Sequence, residues 1–304
     1  MAVFKNVVLI GATGAIGSVI LEALLKESVF EVTILQRASS QSKLSPALKS
    51  IKIDDGYPTE ALISTFQEQD VILNCMTSMS VADQFRMIDA AIAAGVKRYV
   101  PSEYGLNNLR SDAQAVNAVF RDKDKVQEYL RLKVSEEAIE WMSISCGMWI
   151  KWSMINNFLG MHVSDKKFVF WDDGQGLFSC TTEENTAAGV VQALKTPGLT
   201  KNTNVFLSDF AISQKQLLST IERIQGAKYA TETVDSHALI QEKKEAVRAG
   251  DGLATFALIE TGFVTGRFDG HLEKEGKIMN EKLGQPPKTV DEAVENALKA
   301  LNAV

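Results

Sequence analysis

In the first half of the chain, short and mostly apolar runs alternate with longer amphipathic stretches. The apolar runs, which predict strands covered on both faces, lie at residues 7–10, 31–35, 51–53, 71–73, 98–100 and 142–145. The amphipathic stretches, which predict helices, lie at residues 15–26, 59–67, 81–94 and 119–134. Strands that alternate with helices predict an α/β fold built on a Rossmann-type, doubly wound parallel sheet.

The pattern changes after Trp149, where aromatic residues become frequent. Further helices are predicted at residues 187–194, ended by Pro197-Gly198, and at residues 212–224 and 291–301. We therefore predict a nucleotide-binding domain over residues 1–155, to which residues 180–210 return. A smaller α/β domain, which would bind the substrate, is predicted over residues 156–179 and 211–304.

Composition narrows the class of protein. The 304 residues are 45% apolar and 23% charged, as in a globular enzyme, and the net charge of -6 argues against nucleic acid as a main partner. Cys75, Cys146 and Cys180 are far apart and lack metal-ligand spacing, which predicts a reduced, cytoplasmic protein without a metal site. No apolar run approaches the ~20 residues that a membrane-spanning helix needs.

A glycine-rich turn lies between the first predicted strand and the first predicted helix. Its sequence is Gly11-Ala12-Thr13-Gly14-Ala15-Ile16-Gly17. Gly11 permits a tight turn, Gly14 lets the backbone approach a pyrophosphate, and Gly17 lets the helix pack on the strand. The helix N-terminus would face the phosphates with its N–H groups. The turn therefore predicts a dinucleotide site.

The end of the second strand indicates which dinucleotide is bound. NAD sites usually place an acidic residue there, whereas NADP sites place a basic residue near the 2′-phosphate. Here the strand ends at Arg37, Lys43 follows six residues later, and no acidic residue lies between them. An ordinary surface arginine is the alternative, but the sequence favours NADP(H).

One lysine interrupts the apolar face of the helix predicted at residues 119–134. Wound at roughly 100° per residue, that face contains Val119, Val126, Leu130 and Val134. Lys123 lies near its middle. An inward lysine must extend its amine to water, pair with an anion or take part in chemistry. Extension to water stays open, but the sequence favours a chemical role for Lys123.

Four stretches in the middle of the chain resemble a known family. They are Val81-Ala82-Asp83-Gln84, Ile88-Asp89-Ala90-Ala91, Ala94-Gly95-Val96-Lys97-Arg98 and Pro101-Ser102-Glu103-Tyr104-Gly105. With the glycine-rich turn, they resemble the isoflavone reductase-like and NmrA-like family of atypical short-chain dehydrogenases. The resemblance implies an NADPH-dependent reductase of a small aromatic or conjugated metabolite. For some branches it implies instead a redox-sensing NADP-binding regulator, with a protein partner and no turnover.

The resemblance also implies roles for individual residues. The family's working lysine is the first of a Lys-x-Lys pair on the helix after the Pro-Ser-Glu motif, which here is Lys123, with Lys125 pointing outward. Cofactor contacts are expected for Gly11, Thr13, Gly14, Ala15, Ile16, Gly17, Arg37, Lys43, Cys75, Met76, Thr77, Ser102 and Lys123. Substrate contacts are expected for Tyr104, Met148, Trp149 and Trp152. The plant reductases usually have Thr-Val-Gly at Cys75-Met76-Thr77 and phenylalanine at Tyr104, so their substrates do not transfer.

Tyr129 and Lys133 have the spacing of the tyrosine–lysine pair in ordinary short-chain dehydrogenases. Tyr129 lies roughly 100° from the centre of the buried face of its helix. We therefore predict a half-buried surface tyrosine rather than a catalytic one.

Overall fold

The computed structural model describes residues 4–303, except for the side chain of Met79. The strands are β1 Asn6–Ile10, β2 Glu31–Arg37, β3 Lys49–Ile53, β4 Val71–Asn74, β5 Arg98–Val100, β6 Glu140–Ser145, β7 Met161–His162, β8 Lys167–Trp171, β9 Leu177–Cys180, β10 Thr203–Phe206, β11 Phe210–Ser213 and β12 Ala230–Val234. The helices are α1 Ala15–Leu25, α2 Thr59–Phe66, α3 Asp83–Ala93, α4 Ser111–Val116, α5 Ala118–Ser135, α6 Ile150–Ile155, α7 Glu183–Lys195, α8 Pro197–Thr200, α9 Gln214–Gln225, α10 Ser236–Arg248, α11 Ala254–Val264 and α12 Val290–Ala300.

The chain forms two compact units, each assembled from three segments. The first unit contains residues 1–103, 122–144 and 187–205, and the second contains residues 104–121, 145–186 and 206–304. These boundaries differ from the predicted ones. Residues 104–121, 145–155, 180–186 and 206–210 are predicted to belong to the nucleotide-binding domain but lie in the second unit.

The first unit is built on a seven-stranded sheet in the order β10-β6-β5-β4-β1-β2-β3. Strands β1 to β6 pair in parallel. The central strands β1 and β4 are continuous apolar runs because helices cover both of their faces, and Val7, Val8 and Leu9 are completely buried. The predicted Rossmann-type α/β fold is thereby confirmed.

Helices α3 and α5 pack their apolar faces in the core of this unit. Met87 and Ile88 of α3 and Val126 and Leu130 of α5 are completely buried in one cluster with Tyr99 of β5. The buried positions of α5 follow the spacing that the sequence predicted. This packing fixes the rotation of α5 and therefore the direction of its other inward side chains.

The second unit contains two small sheets and its own apolar core. β9 pairs with β11, and β8 lies between β7 and β12. Much of the aromatic-rich stretch after Trp149 belongs to this core, because Phe158, Phe168, Trp171 and Phe178 are buried in it.

Two helix predictions in the second half of the chain were wrong in detail. The helix predicted from Ile212 begins at Gln214, because Ile212 and Ser213 pair with β9 as part of β11. Ser213 then caps α9 by accepting a hydrogen bond from the backbone N–H of Gln216. The helix predicted at residues 187–194 is α7, which begins four residues earlier, at Glu183, and ends at Lys195. Pro197 follows its end as predicted and begins the short helix α8.

Candidate active site

A cleft lies at the carboxyl ends of β1, β2 and β4. The strand order proceeds from β1 to β2 on one side and from β1 to β4 on the other, and ligands of open α/β sheets bind at such switch points. The cleft has a volume of about 290 Å³. Its lining includes Gly11, Thr13, Gly14, Arg37, Cys75, Met76 and Thr77, all of which were predicted to contact a cofactor.

The glycine-rich turn forms one wall of the cleft and leaves little room for side chains. Gly11 has a φ of +79°, and a Cβ there would lie 2.5 Å from the carbonyl oxygen of Cys75. A Cβ on Gly17 would lie 2.1 Å from the carbonyl oxygen of Gly11. Gly11 therefore permits the turn beside β4, and Gly17 permits α1 to pack directly against it.

Helix α1 begins in this wall. Its N-cap residue Gly14 makes no side-chain cap, and its first turn contains no acidic residue. The N-terminus therefore offers backbone N–H groups and the positive end of the helix dipole to an anion. Ala15 is exposed at this end of the helix, whereas Ile16 and Gly17 are buried.

The end of β2 contributes positive charge to the cleft. Arg37 is exposed and lines the cleft. Lys43 is exposed in the loop that follows but does not appear among the lining residues. The fold also places an acidic residue here, because Asp55 follows β3, which pairs with β2. Backbone and hydroxyl hydrogen bonds from Ser39 hold the pKa of Asp55 below its usual value.

Sequence reasoning missed Asp55 because it considered only the residues between Arg37 and Lys43. The missed signal was the acidic pair Asp54-Asp55, which directly follows the third predicted strand. The carboxyl ends of neighbouring parallel strands lie at the same edge of a sheet, so this edge receives both charges.

The loops after β4 and β5 meet on the opposite side of the glycine-rich turn. The hydroxyl of Ser102 donates to the carbonyl oxygen of Met76 at 2.7 Å. The backbone N–H of Ser102 donates to Oε1 of Gln84 at 3.0 Å, and Met76 is fixed in turn by a bond from its N–H to Oδ1 of Asn74 at 2.9 Å. Ser102 therefore joins the wall of the cleft to the residue that follows it, Glu103.

Lys123 is buried, as the sequence predicted. Its side chain is 8% exposed, and its Nζ donates to the main-chain carbonyl oxygen of Glu103 at 2.5 Å. Lys125 points outward and pairs with Asp122 at 2.8 Å. The amine of Lys123 thus contacts protein atoms near the end of β5 instead of extending to bulk water.

Gln127 and Glu103 form a buried pair beside Lys123. Each residue is 1% exposed, and Nε2 of Gln127 donates to Oε2 of Glu103 at 2.9 Å. The sequence analysis named neither residue as functional. Two signals could have identified them: Glu103 belongs to the Pro-Ser-Glu motif, and Gln127 follows Lys123 by four residues, on the same helix face.

Tyr129 occupies the half-buried position that its helical angle predicted. Its hydroxyl donates to Oδ1 of Asp89 at 2.5 Å, and burial is the main reason that its pKa is raised. Its ring packs edge-on against Phe85, with 5.4 Å between the ring centroids. Lys133 is paired with Glu136 at 2.9 Å. Tyr129 and Lys133 therefore both make surface contacts within the first unit.

The predicted substrate residues lie in the second unit. Met148 is buried, and its backbone forms an isolated parallel β-bridge with that of Cys180. Trp149 and Trp152 are half-buried, and Nε1 of Trp149 donates to the hydroxyl of Thr186 at 3.1 Å. Tyr104 is half-buried with a φ of +38°, a left-handed conformation that is uncommon for a residue other than glycine.

The described residues form neither a metal-ligand cluster nor a membrane-spanning helix. Across residues 4–303, no cluster of three or more histidine, cysteine, aspartate or glutamate side chains is arranged to hold a metal ion. Within the same residues, no helix combines the length and apolar character needed to cross a membrane.

The parallel sheet, the glycine-rich turn and the cleft at the switch point define a Rossmann-type α/β protein. The model of the NmrA-like family matches residues 4–293, and the chain belongs to that family. It is 30% identical over 296 residues to the oxidoreductase aprR of Aspergillus flavus, an alignment covering 97% of this chain and 99% of that protein. The prediction that the chain is an oxidoreductase is confirmed.

Solved structures agree with the family. An isoflavone reductase superposes with a TM-score of 0.76 at 19% identity, covering 96% of this chain and 99% of that one. The leucoanthocyanidin reductase of Vitis vinifera, solved as a binary complex with NADPH, also gives a TM-score of 0.76 at 19% identity, covering 97% of this chain and 100% of that one. At this level of identity the likeness establishes the shared fold, and the predicted resemblance is confirmed.

Proposed function

We propose that this protein is an NADPH-dependent reductase that transfers hydride to a small aromatic or conjugated metabolite. The main support is a series of contacts within the first unit. Met76 lines the cleft, Ser102 binds the carbonyl oxygen of Met76, and the next residue, Glu103, binds the amine of Lys123. A buried amine is thereby connected to the wall of the proposed cofactor cleft.

The residues of the cleft fit NADP(H). The N-terminus of α1 and the backbone of Gly14 would bind the pyrophosphate, and Arg37 would bind the 2′-phosphate, with Lys43 nearby in the loop. Cys75, Thr77 and the other predicted contacts would flank the dinucleotide. The carboxylate of Asp55 opposes a phosphate electrostatically, so Arg37 has to supply the favourable charge. The NADPH complex of the Vitis vinifera enzyme supports this assignment by analogy.

Bound NADPH would supply the hydride. Lys123 would hold the nicotinamide ribose and manage the proton that accompanies reduction at the substrate. In an ordinary short-chain dehydrogenase a tyrosine four residues before the lysine manages that proton, but Val119 occupies this position here. Simple carbonyl reduction by the ordinary route is therefore disfavoured, and the ammonium group of Lys123 is the proposed proton donor.

The substrate is proposed to be a small aromatic or conjugated molecule. Tyr104, Trp149 and Trp152 are half-buried and would contact it with ring faces, and Met148 would contribute an adaptable apolar surface. The names isoflavone reductase and leucoanthocyanidin reductase, given to proteins of the same fold, are consistent with this class. Cys75, Cys146 and Cys180 are buried and form no disulfide, which supports the cytoplasmic location that we propose.

The experiment is to incubate the protein with NADPH and a panel of enones, quinones and benzylic ethers while following cofactor absorbance. We expect consumption with at least one class of substrate. Lys123→Ala should lose roughly 10²–10⁴-fold in turnover while keeping its fold and most of its NADPH affinity, because it loses a positioned proton donor. Lys125→Ala, two residues away and exposed, is the control.

Two results would contradict the proposal. Full turnover by Lys123→Ala would remove Lys123 from the mechanism. No NADPH consumption across the panel, together with capture of a protein partner in the presence of NADP⁺, would favour the redox-sensing regulator instead.

A further inference from the structure

We propose that Gln127 is a positioning residue for Lys123 and acts through Glu103. The inference rests on the role proposed for Lys123. Gln127 does not line the cofactor cleft, and neither of its side-chain hydrogen bonds goes to Lys123.

Helix α5 binds Glu103 at two points. Nζ of Lys123 donates to its main-chain carbonyl oxygen at 2.5 Å, and Nε2 of Gln127 donates to its side-chain Oε2 at 2.9 Å. Lys123 and Gln127 are one helical turn apart, so both side chains leave the same face of α5. Because all three residues are at most 8% exposed, water has little access to these bonds.

The buried carboxyl group of Glu103 needs a hydrogen-bond donor. Loss of a hydrogen bond to a buried carboxyl group costs free energy, so removal of the Gln127 amide would shift the side chain of Glu103. That shift would displace the Glu103 backbone, whose carbonyl oxygen holds the amine of Lys123. Gln127 therefore influences Lys123 without touching it.

The backbone at this point depends on its surroundings. Tyr104, directly after Glu103, has a φ of +38°. Such a conformation persists in a non-glycine residue only when neighbouring contacts fix it. Two contacts fix the preceding residue: the N–H of Glu103 donates to the carbonyl oxygen of Pro101 at 2.9 Å, and Gln127 binds its carboxyl group.

The orientation of the Gln127 amide is also determined. Its Oε1 faces the hydroxyl of Ser143 at 3.4 Å, while that hydroxyl lies 2.9 Å from Oδ1 of Asn204. With Nε2 donating to Glu103, Oε1 is the amide atom that faces Ser143. Ser143 has one hydroxyl hydrogen and its nearer acceptor is Asn204, so the bond to Glu103 is the stronger constraint on the Gln127 amide.

Small displacements of a catalytic amine have large effects on rate. A misplacement of ~1 Å can cost on the order of 10²-fold in turnover. Gln127→Leu keeps a side chain of similar size and removes the donor. We expect kcat for NADPH consumption to fall roughly 10- to 100-fold, with KM for NADPH changed by less than about threefold.

A reversed pair tests whether the hydrogen bond itself matters. In the double variant Gln127→Glu with Glu103→Gln, the amide and the carboxyl group exchange places and the bond can form with its direction reversed. We expect kcat to recover to within about fivefold of wild type. Glu128→Leu introduces a leucine at the neighbouring exposed position and should behave as wild type. Circular dichroism and thermal melting verify that each variant is folded.

A second measurement does not require turnover. Limited acylation with acetic anhydride, followed by peptide mass spectrometry, gives the ratio of modification at Lys123 to that at the exposed Lys125. This ratio should be low in the wild type and should rise at least about threefold in Gln127→Leu, because release from Glu103 exposes the amine of Lys123. In the double variant the ratio should return to the wild-type value.

The possible failures are separable. An unchanged acylation ratio or an unchanged kcat in a folded Gln127→Leu variant overturns the inference, as does a folded double variant without recovery. Retention of full turnover by Lys123→Ala overturns the proposed function instead, and the acylation ratio still reports whether Gln127 positions the amine.

Discussion

At the scale of single residues, the charge of the cofactor cleft depends on the balance between Arg37 and two acidic residues, Asp55 and Asp83. All three line the same cleft, although they lie far apart in the sequence. A phosphate bound there would be attracted by the guanidinium group and repelled by the carboxylates. Cofactor preference is therefore expected to depend strongly on Arg37.

Arg37→Ala should weaken NADPH binding by about 1.5–3 kcal/mol and affect NADH little, because only NADPH has the 2′-phosphate. The measurement is a fluorescence titration of both cofactors into the wild type and the variant. Arg248→Ala, on α10, removes the same charge at an exposed residue that does not line the cleft and serves as the control. Equal affinities for NADPH and NADH in the wild type would contradict the assignment.

Residue roles were predictable where helical geometry determines direction. The inward position of Lys123 and the surface position of Tyr129 followed from a rotation of about 100° per residue and from the apolar face of one helix. The hydrogen-bond partner of Lys123 was not predictable. It is a main-chain carbonyl oxygen at Glu103, and sequence patterns do not report where a loop directs its carbonyl groups.

At the scale of secondary-structure elements, α1 packs unusually closely on the glycine-rich turn. A Cβ at Gly17 would lie 2.1 Å from the carbonyl oxygen of Gly11 and 2.9 Å from its carbonyl carbon. These are backbone atoms, which cannot rotate away as a side chain could. The helix itself would have to move.

Gly17→Ala should therefore lower the free energy of unfolding by about 1–3 kcal/mol and abolish dinucleotide binding, because the displaced helix moves its N–H groups from the cleft. Urea unfolding and cofactor titration measure the two effects. In Gly56→Ala the new Cβ approaches only the carboxylate oxygen of Asp54, at 3.2 Å, so its stability should change by less than about 0.5 kcal/mol. A stable Gly17→Ala variant that binds NADPH normally would refute this prediction.

The elements of the first unit were more predictable than those of the second. Buried parallel strands produce uninterrupted apolar runs, and the predicted helices of this unit differ from α1, α2, α3 and α5 by no more than two residues at either end. The short strands β7 to β9, β11 and β12 produce no such pattern. They pair in small sheets whose residues are partly exposed, so the helix predicted from Ile212 absorbed part of β11.

At the scale of the whole molecule, stability is expected to depend on the half-buried Glu260. Burial raises the pKa of Glu260 to about 7, although its Oε1 accepts a hydrogen bond from the backbone N–H of Leu159 at 2.6 Å. Such a bond favours the ionised carboxylate, but the loss of hydration outweighs it. Because the folded protein retains the proton longer than the unfolded chain, stability should fall as pH rises from about 4.5 to 7.

Glu260→Gln should remove this dependence. Relative to the wild type, we expect the variant to gain up to about 3 kcal/mol in free energy of unfolding between pH 4.5 and pH 7.5, because glutamine keeps the acceptor and never ionises. Urea unfolding across this range measures the difference. Glu222→Gln should show little pH-dependent difference above about pH 5, because hydrogen bonds from Lys228 and Tyr229 lower the pKa of Glu222 and its titration lies below this range. A pH-independent difference for Glu260→Gln would contradict the prediction.

The order in which the sheet strands are synthesised differs from their order in space. Strand β10 covers the edge of β6 in the finished sheet. Because β6 ends at Ser145 and β10 begins at Thr203, β10 is synthesised 58 residues after β6 is complete. At ~5–20 residues per second, synthesis of this interval takes roughly 3–12 seconds. During that time β6 is an open strand edge, although five of its six residues are buried in the finished protein. The nascent chain therefore passes through a stage in which it can pair with other polypeptides, and chaperone binding is most needed at that stage.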